Sequence, residues 1–159
     1  MSITLTIDQL KQSGRYQEAV TRVRQQLQKQ PADAGLQYQL ACLYDVQGME
    51  SHAVPCYLAA LAGDLPKRQR QEAWLGLGST YRALGQYAQS LDAFENGLAE
   101  FPQARELTLF RAMTLYNLGE SKQAVAELLL LLAETTADAD ILLYQQAIRQ
   151  YAADLDRIG

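Results

Sequence analysis

Four glycines recur at nearly equal intervals along the chain, each between two stretches with helical periodicity. They are Gly14, Gly48, Gly85 and Gly119, separated by 34, 37 and 34 residues. On both sides of each glycine, apolar residues return every three or four positions, as on one face of an amphipathic helix. Glycine readily ends a helix because it adopts backbone conformations that other residues avoid. The spacing therefore predicts four consecutive helix–turn–helix hairpins, of which the first is the least regular.

The third hairpin, from Glu72 to Pro102, carries the pattern most clearly. Its predicted inward residues are Trp74, Leu77, Gly78 and Tyr81 before the turn and Tyr87, Ser90, Leu91, Phe94 and Leu98 after it. The order W-x-x-L-G-x-x-Y, followed by a small residue, an aromatic residue and a proline, resembles the tetratricopeptide repeat. The resemblance covers about residues 3–134. It implies an all-α fold, a right-handed superhelical solenoid of antiparallel helix hairpins.

The repeat spacing predicts one domain. This domain spans residues 1–159, with repeats at about 1–33, 34–66, 67–103 and 104–136 and a C-terminal capping helix at about 138–157. The three additional residues of the middle interval fit a surface loop at Ala62–Lys67, where an insertion costs little. A capping helix is expected because the end of a repeat stack needs a cover with a polar outer side.

The predicted cap and the helix before it contain the chain's last apolar surfaces. Asp138 and Asp140 are the predicted N-terminal caps, with Tyr144, Ile148, Tyr151 and Leu155 on the packing stripe and Gln145 on the polar side. The preceding run, Leu128–Leu132, is apolar all round, which predicts burial on two sides, between its own hairpin and the cap. The alternative is a homodimer seam at this helix, because large apolar patches are seldom left exposed.

In the helix that follows each turn glycine, two of the positions are predicted to face inward. Five residues after the glycine stand Ala19, Ala53, Ser90 and Ala124, and nine residues after it stand Val23, Tyr57, Phe94 and Leu128. A small residue lets two helices cross closely, and a large one fills the layer behind it. We expect Trp74 to face Phe94. Arg111 stands where the repeat family prefers leucine, and its stem is expected to cover apolar surface while its head reaches water.

Two local features concern the first half of the chain. Thr6 and Gln9 have the spacing of a capping box, so the first helix is expected to begin there, with fraying before Thr6. Pro55 falls inside the second helix of the second hairpin, where it removes a backbone hydrogen bond. A kink or a late start of that helix is therefore expected.

Composition excludes several classes of partner. The net charge of −4 and the pI near 5.0 would repel a phosphate backbone, which argues against nucleic acid. The N-terminal residues lack the pattern of a secretory signal, and the longest apolar run is far shorter than a membrane span, so we expect a cytoplasmic protein and no membrane partner. Cys42 and Cys56 are expected to be small buried thiols rather than a disulfide framework.

No residue pattern predicts catalysis. His52 and Cys56 could offer two metal ligands, but a structural zinc site needs four. Gly76 and Gly78 resemble a phosphate-binding loop only briefly, and close helix packing explains both. We therefore predict a protein that is not an enzyme and has no cofactor and no metal.

The remaining candidate site is a groove. The resemblance implies that the first helix of each hairpin lines the concave side, through residues flanking the core stripe. The candidate residues are Tyr38, Cys42, Asp45, Leu75, Ser79, Arg82, Leu109, Met113, Tyr116 and Asn117. Among them Tyr38, Leu75 and Leu109 form an apolar row that suits a peptide or protein segment, although these side chains could instead only pack between repeats. The predicted function is an adaptor for protein–protein interaction, and the alternative is a homo-oligomeric assembly module with an empty groove.

Overall fold

The computed structural model describes residues 5–158, and every regular element within them is a helix. The helices are α1 Ile7–Gln12, α2 Tyr16–Lys29, α3 Ala34–Val46, α4 Glu50–Ala62, α5 Lys67–Ala83, α6 Tyr87–Glu100, α7 Arg105–Asn117, α8 Ser121–Thr135, α9 Ala139–Leu143 and α10 Gln145–Ala153. Each helix from α1 to α8 packs on its neighbours in sequence, and α3, α5 and α7 also contact one another in turn. The predicted all-α helical solenoid is confirmed.

The four turn glycines adopt the conformation that their position predicts. Their φ angles are +74° at Gly14, +70° at Gly48, +75° at Gly85 and +85° at Gly119, a region that residues with a Cβ rarely enter. The chain then reverses within a few residues, for example through the bond from the Gln86 N–H to the Tyr81 carbonyl, at 2.9 Å. The turns predicted from the glycine spacing are therefore correct.

The small crossing residues are buried as predicted. Ala19, Ala53 and Ser90 are 0% exposed and Ala124 is 4% exposed. The Ser90 hydroxyl donates to the Gly78 carbonyl at 2.7 Å and lies 2.9 Å from the Thr114 hydroxyl, so one polar contact joins α5, α6 and α7. Trp74 packs against the cluster that contains Phe94, as expected.

The large residue nine positions after the turn glycine is buried in three hairpins and exposed in the fourth. Val23, Tyr57 and Phe94 are 0–2% exposed, but Leu128 is 39% exposed. The prediction for Leu128 is wrong because a following helix covers the equivalent side of α4 and α6, whereas no described helix covers that side of α8. For the same reason Leu128–Leu132 is not buried on both sides: Leu130 and Leu132 are also exposed.

The C-terminal segment differs from the predicted single helix. Asp138 caps α9 by accepting from the N–H groups of Asp140 and Ile141, so Asp140 lies in the first turn and is not a cap. The helix breaks at Tyr144, and α10 packs on α8 through a different stripe. Ala152 is buried, and Gln145 faces inward and donates to the Ala133 carbonyl at 2.8 Å.

The break also exposes two predicted packing residues. Tyr144 is 60% exposed and Tyr151 is 65% exposed. The predicted stripe is therefore wrong at these tyrosines: Tyr144 lies at the junction of α9 and α10, and Tyr151 lies on the solvent side of α10, whereas the adjacent Ala152 is buried.

Local features elsewhere correct three details. The Thr6 and Gln9 capping box is present, whereas the predicted fraying concerns mostly residues 1–4, which lie outside the described residues. The helix with Pro55 begins at Glu50, so it has no late start. Leu65, in the loop expected at the surface, is only 4% exposed. The Arg111 guanidinium pairs with Glu127 and Glu95 rather than standing free in water, and 16% of the side chain remains exposed.

Replacing Phe94 by alanine should strongly destabilise the protein. Phe94 is 0% exposed, and its ring lies where a Cβ on Gly78 would come within 2.5 Å, so the truncated side chain leaves a closed cavity. We expect a loss of about 3–5 kcal/mol of unfolding free energy, measured by denaturant titration. The control Gln89→Ala, at an exposed position of the same helix, should change stability by less than about 0.5 kcal/mol. Equal stability of both variants would contradict the assigned register.

The Arg70–Glu100 pair should make stability depend on pH. Arg70 holds Glu100 through two bonds of 2.9 and 2.6 Å, and this guanidinium lowers the pKa of the Glu100 carboxyl below its usual value. A lowered folded-state pKa adds stability above the unfolded pKa of about 4.3 and loses it as the pH falls through the folded value.

Glu100→Gln should therefore lower the melting temperature at neutral pH. The pair is partly exposed, so the difference should correspond to at most about 1 kcal/mol and should disappear once the pH falls below the lowered pKa of Glu100. Asp92→Asn, at an exposed position of the same helix, is the control and should follow wild type at each pH. A Glu100→Gln difference that persisted unchanged in acid would show that the pair is not its cause.

Candidate protein-binding groove

Hydrogen bonds between residues about one repeat apart join the first helices of neighbouring hairpins. The Tyr38 hydroxyl donates to Glu72 Oε2 at 2.7 Å, which links α3 to α5. Arg82 Nε donates to Asn117 Oδ1 at 2.7 Å, which links α5 to α7. We call the surface of α3, α5 and α7 that carries these bonds, together with the flanking residues of α1, the groove face. All ten candidate residues belong to its three main helices, α3, α5 and α7.

The N-terminal half of the groove face is a hydrogen-bonded polar layer. Tyr57, from α4, passes Gly76 and donates its hydroxyl to Asp45 Oδ2 at 2.8 Å. Its ring also lies 6.4 Å from the Tyr38 ring, centroid to centroid. Two carboxylates on this half, Asp45 and Glu72, are thus each held by a phenol.

Burial changes the proton affinity of this layer. It raises the pKa of the Tyr38 and Tyr57 phenols above their usual value of 10.0, with further contributions from Glu72 and Asp45. Burial also raises the pKa of the Cys42 thiol, so the thiol stays protonated at neutral pH. These groups therefore serve as hydrogen-bonding and packing groups rather than as nucleophiles.

The C-terminal half of the groove face is more apolar and more exposed. Tyr116 is 66% exposed and Leu109 is 39% exposed, whereas Met113 is partly exposed beside them on α7. Leu75 is half-buried against the cluster of Phe94, Ala104 and Leu107. Within the predicted row of Tyr38, Leu75 and Leu109, only Leu109 is classed as exposed; the other two are partly buried.

Sequence reasoning missed two groove residues. Glu72 was not a candidate, although it stands 34 residues after Tyr38, the spacing that links neighbouring repeats. Tyr57 was assigned to the core, where its ring does lie at 2% exposure, but its hydroxyl reaches through to the groove face. In the first hairpin, Thr4 occupies the position that corresponds to Tyr38 but lies outside the described residues, and Asp8 and Lys11 lie on α1.

The groove face ends at an apolar cleft between α7 and α8. The cleft has a volume of about 440 Å³ and is lined by Arg105, Glu106, Leu109, Leu128, Leu131, Leu132 and Thr135. Leu109 therefore belongs both to the groove face and to this cleft.

The residues considered for metal binding have other contacts. The His52 ring packs 5.3 Å from the Tyr44 ring, and the Cys56 thiol donates to the His52 carbonyl at 3.5 Å. Across residues 5–158, no group of three or more His, Cys, Asp or Glu side chains is placed to hold a metal ion. None of the helices in this part of the chain is long and apolar enough to cross a membrane.

A family model described as Tetratrico peptide repeat matches residues 34–155, from the start of α3 to just beyond α10. This is more than half of the chain, which therefore belongs to the tetratrico peptide repeat family. Membership suggests a scaffold for protein–protein interaction, and the family is generally non-enzymatic. No curated protein matches the chain.

The Tyr57 ring passes so close to Gly76 that replacing this glycine by alanine should destabilise the protein. Within a helix, glycine to alanine normally stabilises by up to about 1 kcal/mol. Here the added Cβ would lie 2.5 Å from the Tyr57 Cζ and hydroxyl oxygen, so the buried ring must shift, which disturbs its packing and its bond to Asp45. We expect Gly76→Ala to lower the melting temperature.

Tyr57→Phe separates the two effects. It removes only the hydroxyl, so it should cost about 1 kcal/mol, less than Gly76→Ala. A Gly76→Ala protein more stable than wild type would contradict the tight passage of the ring.

Proposed function

We propose that this protein is a non-enzymatic adaptor whose groove face binds a peptide or protein segment. The observation that carries the proposal is the exposure of large apolar side chains on α7, above all Tyr116 at 66%, at the end of a face otherwise fixed by hydrogen bonds. A preformed face loses little conformational entropy on binding, and exposed tyrosines are effective anchors in protein interfaces. Apolar ligand side chains would contact Leu109, Met113 and Tyr116.

The charges of the groove face favour an apolar segment over an acidic peptide terminus. Arg82, the one cation in the candidate set, is already bonded to Asn117. Asp45 and Glu72 add negative charge on the other half of the face, and Asp8 lies on α1. A terminal carboxylate would have to break the Arg82–Asn117 bond and approach these acids.

Self-assembly through the C-terminal helices is the second candidate function. The observation in its favour is the exposure of Leu128, Leu130 and Leu132, at 38–44%, on a helix that was predicted to be buried. Self-assembly does not require an empty groove, because Tyr116 and these leucines lie on different helices. A cytoplasmic location and the absence of a nucleic-acid partner stay predictions from composition.

Tyr116→Ala tests the groove. We expect this variant to keep the melting temperature of wild type, because the side chain is 66% exposed, and to lose at least about 90% of the partner proteins captured from a lysate of the source cells, a tenfold drop equivalent to about 1.4 kcal/mol. The matched control is Tyr151→Ala, at a tyrosine that is 65% exposed on α10.

One further measurement makes the result decisive. The oligomeric state of each variant is determined by sedimentation, so that a lost partner is not confused with a changed assembly. If Tyr116→Ala retains its partners, or if Tyr151→Ala loses the same ones, the binding site is not the groove face.

A further inference from the structure

In this solenoid, each of the first three hairpins is closed on one side by the first helix of the next. Nine and thirteen residues after the turn glycine, α4 carries Tyr57 and Leu61, which are 2% and 9% exposed beneath α5. At the first of these positions α6 carries Phe94, which is 0% exposed beneath α7. On α8 the same two positions are Leu128 and Leu132, and these are 39% and 44% exposed. The place of the next helix is therefore open; we call it the open slot.

The chain's own last helix does not fill the open slot. Helix α10 packs on another side of α8, where Ala133 is 0% exposed and its carbonyl accepts from Gln145, and where Lys122 pairs with Asp156. Successive residues in a helix are about 100° apart, so Ala133 lies well round the helix from Leu132 and Leu128. The cap thus covers one flank of α8 and leaves the open slot to solvent.

Along the exposed flank of α8, the types of side chain follow in the same order from either end. It consists of Ser121, Val125, Leu128, Leu132 and Thr135, spaced four, three, four and three residues apart. Each end is a small hydroxyl side chain, the middle three residues are aliphatic, and none is charged. An antiparallel copy of the same helix therefore places aliphatic side chains on aliphatic side chains and hydroxyl groups on hydroxyl groups.

Direction and length also fit a second copy. Within the solenoid, the helix that covers α4 or α6 runs antiparallel to it, and a two-fold axis near Leu128 would bring two α8 helices together in this same relation. Helix α8 has 15 residues, against 13 to 17 in α3, α5 and α7.

We propose that a second copy of this chain occupies the open slot with its own α8. The result is a symmetric dimer in which each α8 takes the place of the missing next helix of the other protomer. This inference rests on the self-assembly alternative and gives it one interface, and it is independent of peptide binding at Tyr116.

Area and charge agree with this occupant. Leu109, Val125, Leu128 and Leu132 are 39–46% exposed, and their exposed apolar area is on the order of the few hundred Å² that mark interaction sites on monomers. The net charge of −4 repels a copy at long range, but the flank itself is uncharged. Arg105 and Glu106 at the rim of the slot have opposite signs.

Sedimentation equilibrium over a wide range of concentrations tests the interface. We expect wild type to be a dimer, and Leu128→Asp or Leu132→Asp to weaken the dimer at least about tenfold, because a carboxylate would be buried without a partner. The matched control is Leu130→Asp, since Leu130 is 38% exposed on the same helix but on the side away from the slot. Leu109 is left out because it also belongs to the groove face.

Several outcomes would overturn the proposal. They are a wild-type protein that stays monomeric throughout, as expected if the chain's own α10 or an unrelated helix fills the slot, and a Leu130→Asp variant that dissociates as readily as Leu128→Asp. Thermal melts of each variant show whether it is folded. Groove binding has a separate readout: Tyr116→Ala should remain a dimer, and monomeric Leu128→Asp should still capture the groove partners.

A cysteine at position 128 tests the symmetry of the interface. In a background with Cys42→Ser and Cys56→Ala, Leu128→Cys should give a covalent dimer under mild oxidation, because this residue meets its own symmetry mate at the two-fold axis. Leu130→Cys should not. Equal cross-linking at both positions would contradict the antiparallel pairing.

Discussion

Each hairpin of this protein exposes an apolar flank that only the following helix can cover. Burying a large apolar side chain contributes about 1.5–3 kcal/mol, so the contacts of Tyr57 with α5 and of Phe94 with α7 are large compared with the few kcal/mol by which a domain of this size is stable. Stability in such a stack is therefore a sum of contacts between neighbours. The close approach that these contacts require depends on Gly78 beneath Phe94 and on Ser90, whose hydroxyl satisfies a carbonyl at the crossing.

The groove face is a consequence of the same stacking. Since neighbouring first helices lie side by side, residues about one repeat apart can bond across them, as Tyr38 does to Glu72 and Arg82 to Asn117. On the N-terminal half of the face, the Tyr38–Glu72 and Tyr57–Asp45 bonds occupy much of the hydrogen-bonding capacity of these polar groups. The side chains of α7 keep more freedom to bind, because α7 has no following first helix to bond with. The candidate groove and the open slot thus have one origin, the interruption of the stack after α8.

The sequence predicts the part of this structure that depends on local chemistry. The four turns can be predicted because each requires a positive φ, which glycine supplies. The small residues at the helix crossings, such as Ala53 and Ser90, can be predicted from the regular repeat alone. The errors concern α8 and the C-terminal segment. Helical periodicity predicts a packing face only to within about one residue, and α10 packs with Gln145 and Ala152 inward rather than with Tyr144 and Tyr151. Tyr57 was missed as a groove residue because a pattern that counts tyrosine as apolar ignores where its hydroxyl ends.

The leucine run of α8 is apolar on every side, whereas the corresponding part of α6 is not. Asp92 and Glu95 of α6 are exposed, and 34 residues later α8 has Ala126 and Leu129 at these positions, on the flank that α10 covers. Ala126 and Leu129 thus account for the apolar character of the flank that α10 covers. It does not account for Leu128 and Leu132, which keep the apolar character of Phe94 and Leu98 although no described helix covers them. If α10 were the only helix to cover α8, polar residues at positions 128 and 132 would make the protein more soluble. In the proposed dimer the two flanks of α8 have different partners: α10 of the same chain on one side and, on the other, α8 of a second protomer.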